Sequence, residues 1–194
     1  MTGVQTCALP ISRDFILYVG DVNWNKNLEN LINAIKIAKI PLVMVGSALT
    51  DMGLIQTKNI NKLTKKLHLE KQVFKTGFVE DEDLVAIYNL ATLTILPSYY
   101  EGFGLPVLES MACGTPVVCS KAGSLSEIAG PALICDPDNP ADIAAKINLV
   151  ATFSKREREI FCQKLQNHAL KFSWQKAASE TIKVYQEVAR SHRQ

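Results

Sequence analysis

The chain has 194 residues, close to the ~100–200 of one domain, so a second large domain has no room. Its 47% hydrophobic and 21% charged residues are an ordinary globular balance and exclude a disordered chain. Lys+Arg 21 against Asp+Glu 19, a formal +2, give no overall field that would draw nucleic acid.

Residues 1–13 do not read like the rest. MTGVQTCALPIS has no period, and Pro10 breaks its alternation. It resembles translated sequencing-adapter sequence fused to an interrupted gene, and is expected to be a foreign leader or else a disordered terminus outside the fold. It has neither the basic start nor the apolar stretch of a signal peptide.

From Phe15 a regular alternation begins. FILYVG (15–20) is an apolar run closed by glycine, the pattern of a strand buried on both faces. Leu28, Leu31, Ile32, Ile35 and Ala38 follow at helical spacing. PLVMVG (41–46) is a second strand, and a helix is predicted over roughly 54–67 with Leu63 and Leu67 inward. QVFKTG (72–77) is a third strand, followed by the helix EDEDLVAIYNLA with its acids at the front, where the helix dipole favours them. LTILPS (93–98), PVVCS (116–120) and ALIC (132–135) are strands four to six, with the short helix PVLESMACG between the first two. Pro140 starts the helix PADIAAKINLVA, and two longer helices close the chain. The last is capped by Ser173 and carries Trp174, Ala177, Ala178, Thr181, Ile182, Tyr185 and Val188 on one face.

Alternating strands and helices with fully apolar strands predict an α/β domain over residues 14–194, a Rossmann-like doubly wound parallel sheet of about six strands. Ligands of such sheets lie outside the carboxyl ends of the strands, which directs attention to the loops.

The richest loop follows the fourth strand: Pro97-Ser98-Tyr99-Tyr100-Glu101-Gly102-Phe103-Gly104-Leu105-Pro106. Two glycines at a strand-to-helix turn allow a ligand close to the backbone. Pro106 suits the first helical position and leaves neighbouring N–H groups to meet an anion. Glu101 and Glu109 flank this cradle. Carboxylates repel phosphate, so sugar hydroxyls suit them better as partners. An ordinary loop with Glu109 stabilising the helix dipole accounts for the same residues equally well. A dinucleotide fingerprint does not, because Val107 stands where a third glycine belongs.

After the first strand, Gly20-Asp21-Val22-Asn23-Trp24-Asn25-Lys26-Asn27 places a lysine at the front of a helix, unfavourable unless an anion is neutralised there. Lys26 reaching a diphosphate is one reading; a solvated Lys26 with Asn25 or Asn27 capping the helix is the other. The same loop lacks the glycine and closing glutamate of a calcium site. His68, His168 and His192 are isolated, so no metal site is expected. Ser98 has no nucleophile-elbow context. Gly123-Ser124-Leu125-Ser126-Glu127 either presents hydroxyls or N–H groups to a ligand or caps the next helical turn. Residues 154–194 hold nine Lys/Arg against four Asp/Glu; these basic helices are either solvated faces or contacts for an anionic surface. Five cysteines without CxxC spacing suggest reduced thiols in a cytosol. No run reaches the ~18 apolar residues of a membrane span.

The run LPSYYEGFGLPVLESMACGTPVVCSKAGSLSEIAG (96–130) resembles the signature of glycosyltransferase family 4, retaining nucleotide-sugar transferases of GT-B fold. FILYVGDVNWNKNLENLINAI, LVMVG, VFKTGFVEDEDLVAIYNLATLTILPS and FSWQKAASETIKVYQEV follow that family's order, so the resemblance covers residues 15 to about 190. It implies the C-terminal, donor-binding half of a GT-B enzyme, the N-terminal acceptor domain being missing from this chain. The parent would transfer a sugar from a nucleoside-diphosphate sugar to an unknown acceptor, with no cofactor or metal, and the fragment alone would be inactive. The resemblance gives Glu109 the ribose hydroxyls and Glu101 the transferred sugar. Gly102, Phe103, Gly104 and Leu105 would lend N–H groups to the diphosphate and sugar, Lys26 would neutralise the leaving diphosphate, and Val79 would meet the base through its backbone. Asp21 departs from the family's usual Arg, and Ser126 from its usual Pro. The alternatives are half of a nucleotide-sugar 2-epimerase, or a non-catalytic nucleotide-binding module. A cytoplasmic protein is expected, with peripheral association at the inner face of a membrane left open.

Overall fold

A computed structural model describes residues 14–191. The leader assigned to residues 1–13 and the last three residues lie outside the described residues. Six strands pair in parallel: β1 (Ile16–Val19), β2 (Leu42–Val45), β3 (Val73–Gly77), β4 (Leu93–Leu96), β5 (Val117–Cys119) and β6 (Leu133–Ile134). Their order is β3-β2-β1-β4-β5-β6. This is a doubly wound sheet whose order reverses between β1 and β4, and such a reversal opens a crevice at the strands' carboxyl ends.

The apolar runs explain the layering. Ile16 and Tyr18 of β1 join Leu42 and Met44 of β2 in the larger core cluster, whereas Leu17, Val43 and Val45 point to a smaller one with Tyr88 and Ala91. Both faces of the central strands β1 and β2 are therefore dry, and their near-continuous apolar runs satisfy that. The helices covering it are α1 (Leu28–Ala38), α2 (Ile55–Lys66), α3 (Asp81–Leu90), α4 (Leu105–Ala112), α5 (Leu125–Ile128), α6 (Pro140–Ala151), α7 (Lys155–Ala169) and α8 (Trp174–Ser191). α1 packs on α2 and α6, and α4 packs on α3 and α7.

Most predicted elements stand where expected. On α2 the buried residues are Thr57, Ile60 and Thr64, with Leu63 and Leu67 packed half-buried beside them. Asp81, Glu82 and Asp83 form the acidic first turn of α3. Asn139 accepts from the backbone of Ala141 and Asp142 and starts α6 around Pro140. Ser154 and Glu157 close a capping box on α7, whose Arg158 donates to the carbonyls of Thr92 and Ala91 at 2.7 and 3.1 Å. Ser173 accepts from the backbone of Lys176, as predicted for the cap of α8. The apolar side of α8 is turned to solvent: no residue of the helix is buried, and Trp174 and Tyr185 are 76% and 70% exposed.

Cys113, Cys119, Cys135 and Cys162 are free thiols. No helix among the described residues is long and apolar enough to cross a membrane.

Candidate functional site

The crevice at the β1/β4 reversal is built by two loops. The first, after β1, runs into a 3₁₀ turn (Trp24–Lys26) and then α1. Asn27 at this junction has a left-handed backbone, φ 55°, a conformation that asparagine tolerates better than most residues. Its side chain caps nothing. Buried at 4% exposure, it donates to the carbonyls of Pro97 and Pro137 at 2.9 and 2.7 Å. Asn25 likewise reaches across, its amide donating to the Tyr100 carbonyl at 2.9 Å while its own carbonyl receives the Tyr99 N–H at 2.7 Å. The capping reading of Asn25 and Asn27 is thus replaced by another role: both lace the β1 loop to the β4 loop.

That lacing sets Lys26 against Glu101. The Lys26 ammonium lies 2.9 and 2.8 Å from the two carboxylate oxygens of Glu101. The pair is mostly shielded, with side chains 18% and 7% exposed. Ser98, wholly buried, donates to Glu101 Oε1 at 2.6 Å. Beneath them Tyr18 donates to the Asp21 carbonyl at 2.6 Å. Burial first, then the charges of Glu101 and Asp21, holds its phenol well above the usual tyrosine range. Asp21 accepts from the backbone of Val22 and the amide of Asn23, so it serves as a turn-forming residue.

The second loop turns into α4 at Gly104. Its φ of 95° demands glycine, and a Cβ there would stand 2.7 Å from Leu125 Cδ2 of α5. Gly102 is different: its backbone is ordinary and a Cβ would meet nothing within 4 Å. Ser124, in the segment read as facing a ligand or capping the next helical turn, stands at the N-cap of α5, but its hydroxyl is turned to the second loop. It donates to the carbonyls of Glu101 and Phe103 at 3.0 and 2.8 Å and makes no cap bond. With those carbonyls occupied from behind, the N–H groups of Gly102, Phe103, Gly104 and Leu105 donate to no protein acceptor among the described residues. The Gly104 and Leu105 donors lie at the positive end of α4 and the Gly102 and Phe103 donors in the loop before it, an arrangement able to meet an anion.

Glu109 lies past the first turn of α4, which holds no acid. The reading of Glu109 as a first-turn dipole stabiliser therefore does not hold, because the helix starts at Leu105. Glu109 is exposed and is tied to α3, where Tyr88 donates to its Oε2 at 2.8 Å. Val79, half-buried in the loop between β3 and α3, packs against the same cluster as Tyr88. The structure thus brings Lys26 and Glu101 into contact and lines Gly102 to Leu105 beside them, while Glu109 and Val79 belong to the α3 side. Tyr88, Ser98, Asn25, Asn27 and Ser124 have supporting roles that their sequence positions did not reveal. Among the described residues no three His, Cys, Asp or Glu side chains gather as a metal site.

A family model described as Glycosyl transferases group 1 matches residues 8–169. The O-antigen chain mannosyltransferase B of Escherichia coli is 34% identical over 178 residues, covering 88% of this chain and 45% of that protein. The structure of sucrose-phosphate synthase from Thermosynechococcus elongatus matches with a TM-score of 0.83 at 26% identity, over 94% of this chain and 47% of that one. The Anabaena protein HepE, solved in complex with UDP and glucose, matches with a TM-score of 0.74 at 22% identity, over 91% of this chain and 47% of that one, a likeness of fold. The chain spans less than half the length of each of these three proteins.

Proposed function

The chain belongs to the group 1 glycosyl transferases, and from that premise we propose that it is the donor-binding domain of a retaining enzyme that moves a sugar from a nucleoside-diphosphate sugar to an acceptor. The observation that carries this reading is the meeting of the Lys26–Glu101 pair with four unsatisfied N–H groups at the start of α4, at the reversal of strand order.

The chemistry follows from the charges. As the glycosidic bond to the diphosphate breaks, negative charge grows on the leaving oxygens. A fixed ammonium and fixed N–H dipoles stabilise that charge without reorganising. Lys26 supplies the first. Gly102, Phe103, Gly104 and Leu105 supply the second, strengthened by the helix dipole. Glu101, an acceptor when ionised, accepts hydrogen bonds from hydroxyls of the transferred sugar and orients it. Glu109 takes the ribose hydroxyls, and the backbone of Val79 meets the base. Asp21, where a cation is usual, leaves Lys26 as the cationic side chain of this cradle.

The chain spans less than half the length of the proteins it matches, and positioning both reactants is a large part of the rate. The 194-residue chain is therefore expected to bind nucleoside diphosphate weakly and to transfer no sugar. Calorimetric titration of the chain with UDP and with GDP, beside a Glu109→Ala variant, tests this. Saturable binding weakened by the substitution supports the assignment; binding that ignores it removes the ribose role. Incubating a longer enzyme with donor and no acceptor separates the transferase from a 2-epimerase, which alone would release an epimer.

A further inference from the structure

Each of the two glutamates is held from behind by a buried hydroxyl. Tyr88, 1% exposed, donates to Glu109 Oε2 at 2.8 Å, and its own carbonyl receives the Thr115 hydroxyl at 2.7 Å. Ser98, 0% exposed, donates to Glu101 Oε1 at 2.6 Å, and its carbonyl receives the Ser120 hydroxyl. Both donors are therefore fixed at backbone and side chain. A phenylalanine or an alanine would fill these apolar positions without burying a polar oxygen, whose desolvation is costly unless it is bonded. Burial, followed by the charge of Glu109, keeps the Tyr88 phenol above the usual tyrosine range, so it stays a donor through the neutral range.

The geometry has a consequence for Glu109 in particular. Its side chain is exposed, and an unrestrained carboxylate there would turn freely about its last torsion. The bond from Tyr88 fixes Oε2, while Oε1 accepts from no residue among those described. One oxygen is anchored and the other is presented.

We infer that Tyr88 and Ser98 are positioning residues, Tyr88 setting the carboxylate of Glu109 toward the ribose and Ser98 setting that of Glu101 toward the transferred sugar. The inference rests on the ligand assignments proposed above. A donor that holds a carboxylate in its binding geometry removes the cost of ordering it when ligand arrives.

The test compares ligands that differ only in the groups concerned. UDP or GDP, whichever binds the chain more tightly, and its 2′,3′-dideoxy analogue are titrated into the unaltered chain, Glu109→Gln and Tyr88→Phe. Tyr88→Phe should lower the preference for the ribose form by about threefold to tenfold, the range of one hydrogen bond, and leave the dideoxy affinity and the circular dichroism spectrum unchanged. Equal losses for both ligands, or none, would assign Tyr88 to packing and overturn its role. A preference that survives Glu109→Gln would instead overturn the ribose assignment, whatever Tyr88 does. No saturable binding of UDP or GDP would overturn both. For Ser98→Ala the comparison is the matching nucleotide sugar against the free nucleotide, with Glu101→Gln as reference. An unchanged ratio in Ser98→Ala beside a reduced one in Glu101→Gln would limit Ser98 to a structural bond.

Discussion

Lys26 and Glu101 are joined through both carboxylate oxygens across 75 residues of chain. Because Ser98 also bonds this carboxylate, Glu101 keeps one partner if the lysine is removed, whereas Lys26 has no second described acceptor. The two residues are therefore unequal. Glu101 is seated by the fold, and Lys26 is seated by Glu101.

Removal of the ammonium should show in turnover. In a longer enzyme containing this domain, Lys26→Ala is expected to lower kcat at least about tenfold, equivalent to ~1.4 kcal/mol of transition-state stabilisation. Steady-state kinetics with a nucleotide-sugar donor measure this. Unaltered turnover would take Lys26 out of the leaving-group role.

Asn27 offers a stability test free of ligand. Asn27→Gly keeps the left-handed backbone accessible but removes the donor to the Pro97 and Pro137 carbonyls. The Pro137 carbonyl keeps the Asn30 amide as a donor, but leaving the buried Pro97 carbonyl unpaired costs about 1–3 kcal/mol, to be read from urea denaturation. A change under about 0.5 kcal/mol, the range of ordinary surface substitutions, would mean that the lacing of the loops does not depend on Asn27.

The two glycines of the cradle should separate stability from binding. Gly104→Ala forces a side chain into a left-handed backbone and against Leu125 and Ile128, a strain of order 1–3 kcal/mol that lowers the melting temperature. Gly102→Ala enters open space. It should leave the melting temperature within about 1 °C, well under the ~2–4 °C that 1 kcal/mol produces in a domain of this size, yet weaken nucleoside-diphosphate binding because the methyl occupies the ligand's approach. Undiminished nucleotide affinity in Gly102→Ala would argue against a ligand at that backbone.

Alkaline pH should destabilise the domain through its buried thiols. Burial pushes Cys119 and Cys135 up to about 12 from an ordinary 9.0. Above pH 9 the unfolded chain loses these protons while the folded chain keeps them. Their contribution is complete below about pH 9 and falls as pH rises toward 12, at up to ~1.4 kcal/mol per unit for each thiol. Urea midpoints measured between pH 8.5 and 10.5 should fall less steeply in the Cys119→Val, Cys135→Val double variant than in the unaltered chain. Equal slopes would place the alkaline effect elsewhere, for instance on Tyr18, whose phenol is also held up by burial.

The sheet was legible because burial on both faces of its central strands favours apolar residues at successive positions, so FILYVG and PLVMVG announce themselves. The loops that matter were legible for the same reason, since they follow strands one and four. Their mutual contact was not: nothing in the spacing of Lys26 and Glu101 says that β1 and β4 are neighbours. Local reading also favoured local partners. Asn27 and Ser124 stand at N-cap positions, where neighbouring N–H groups suggest local bonds, yet the partners of their side chains lie in other loops. Tyr88 reads as one more apolar residue of α3, since its single polar atom becomes informative only when Glu109 is seen opposite. The four-residue α5 is too short to carry a period.

α8 is an amphipathic helix with no residue buried. A helix of that kind is maintained by its own backbone bonds and its Ser173 cap, and isolated helices of such length are marginal in water. Its opening is thus uncoupled from the cooperative unfolding of the sheet. Amide hydrogens along Trp174–Ser191 should exchange orders of magnitude faster than those of β1 and β4, and limited proteolysis should clip this segment while the domain beneath stays intact. Whatever surface comes to rest on α8 will contribute its affinity partly by ordering the helix, which makes occupancy of that face readable as a gain in local exchange protection.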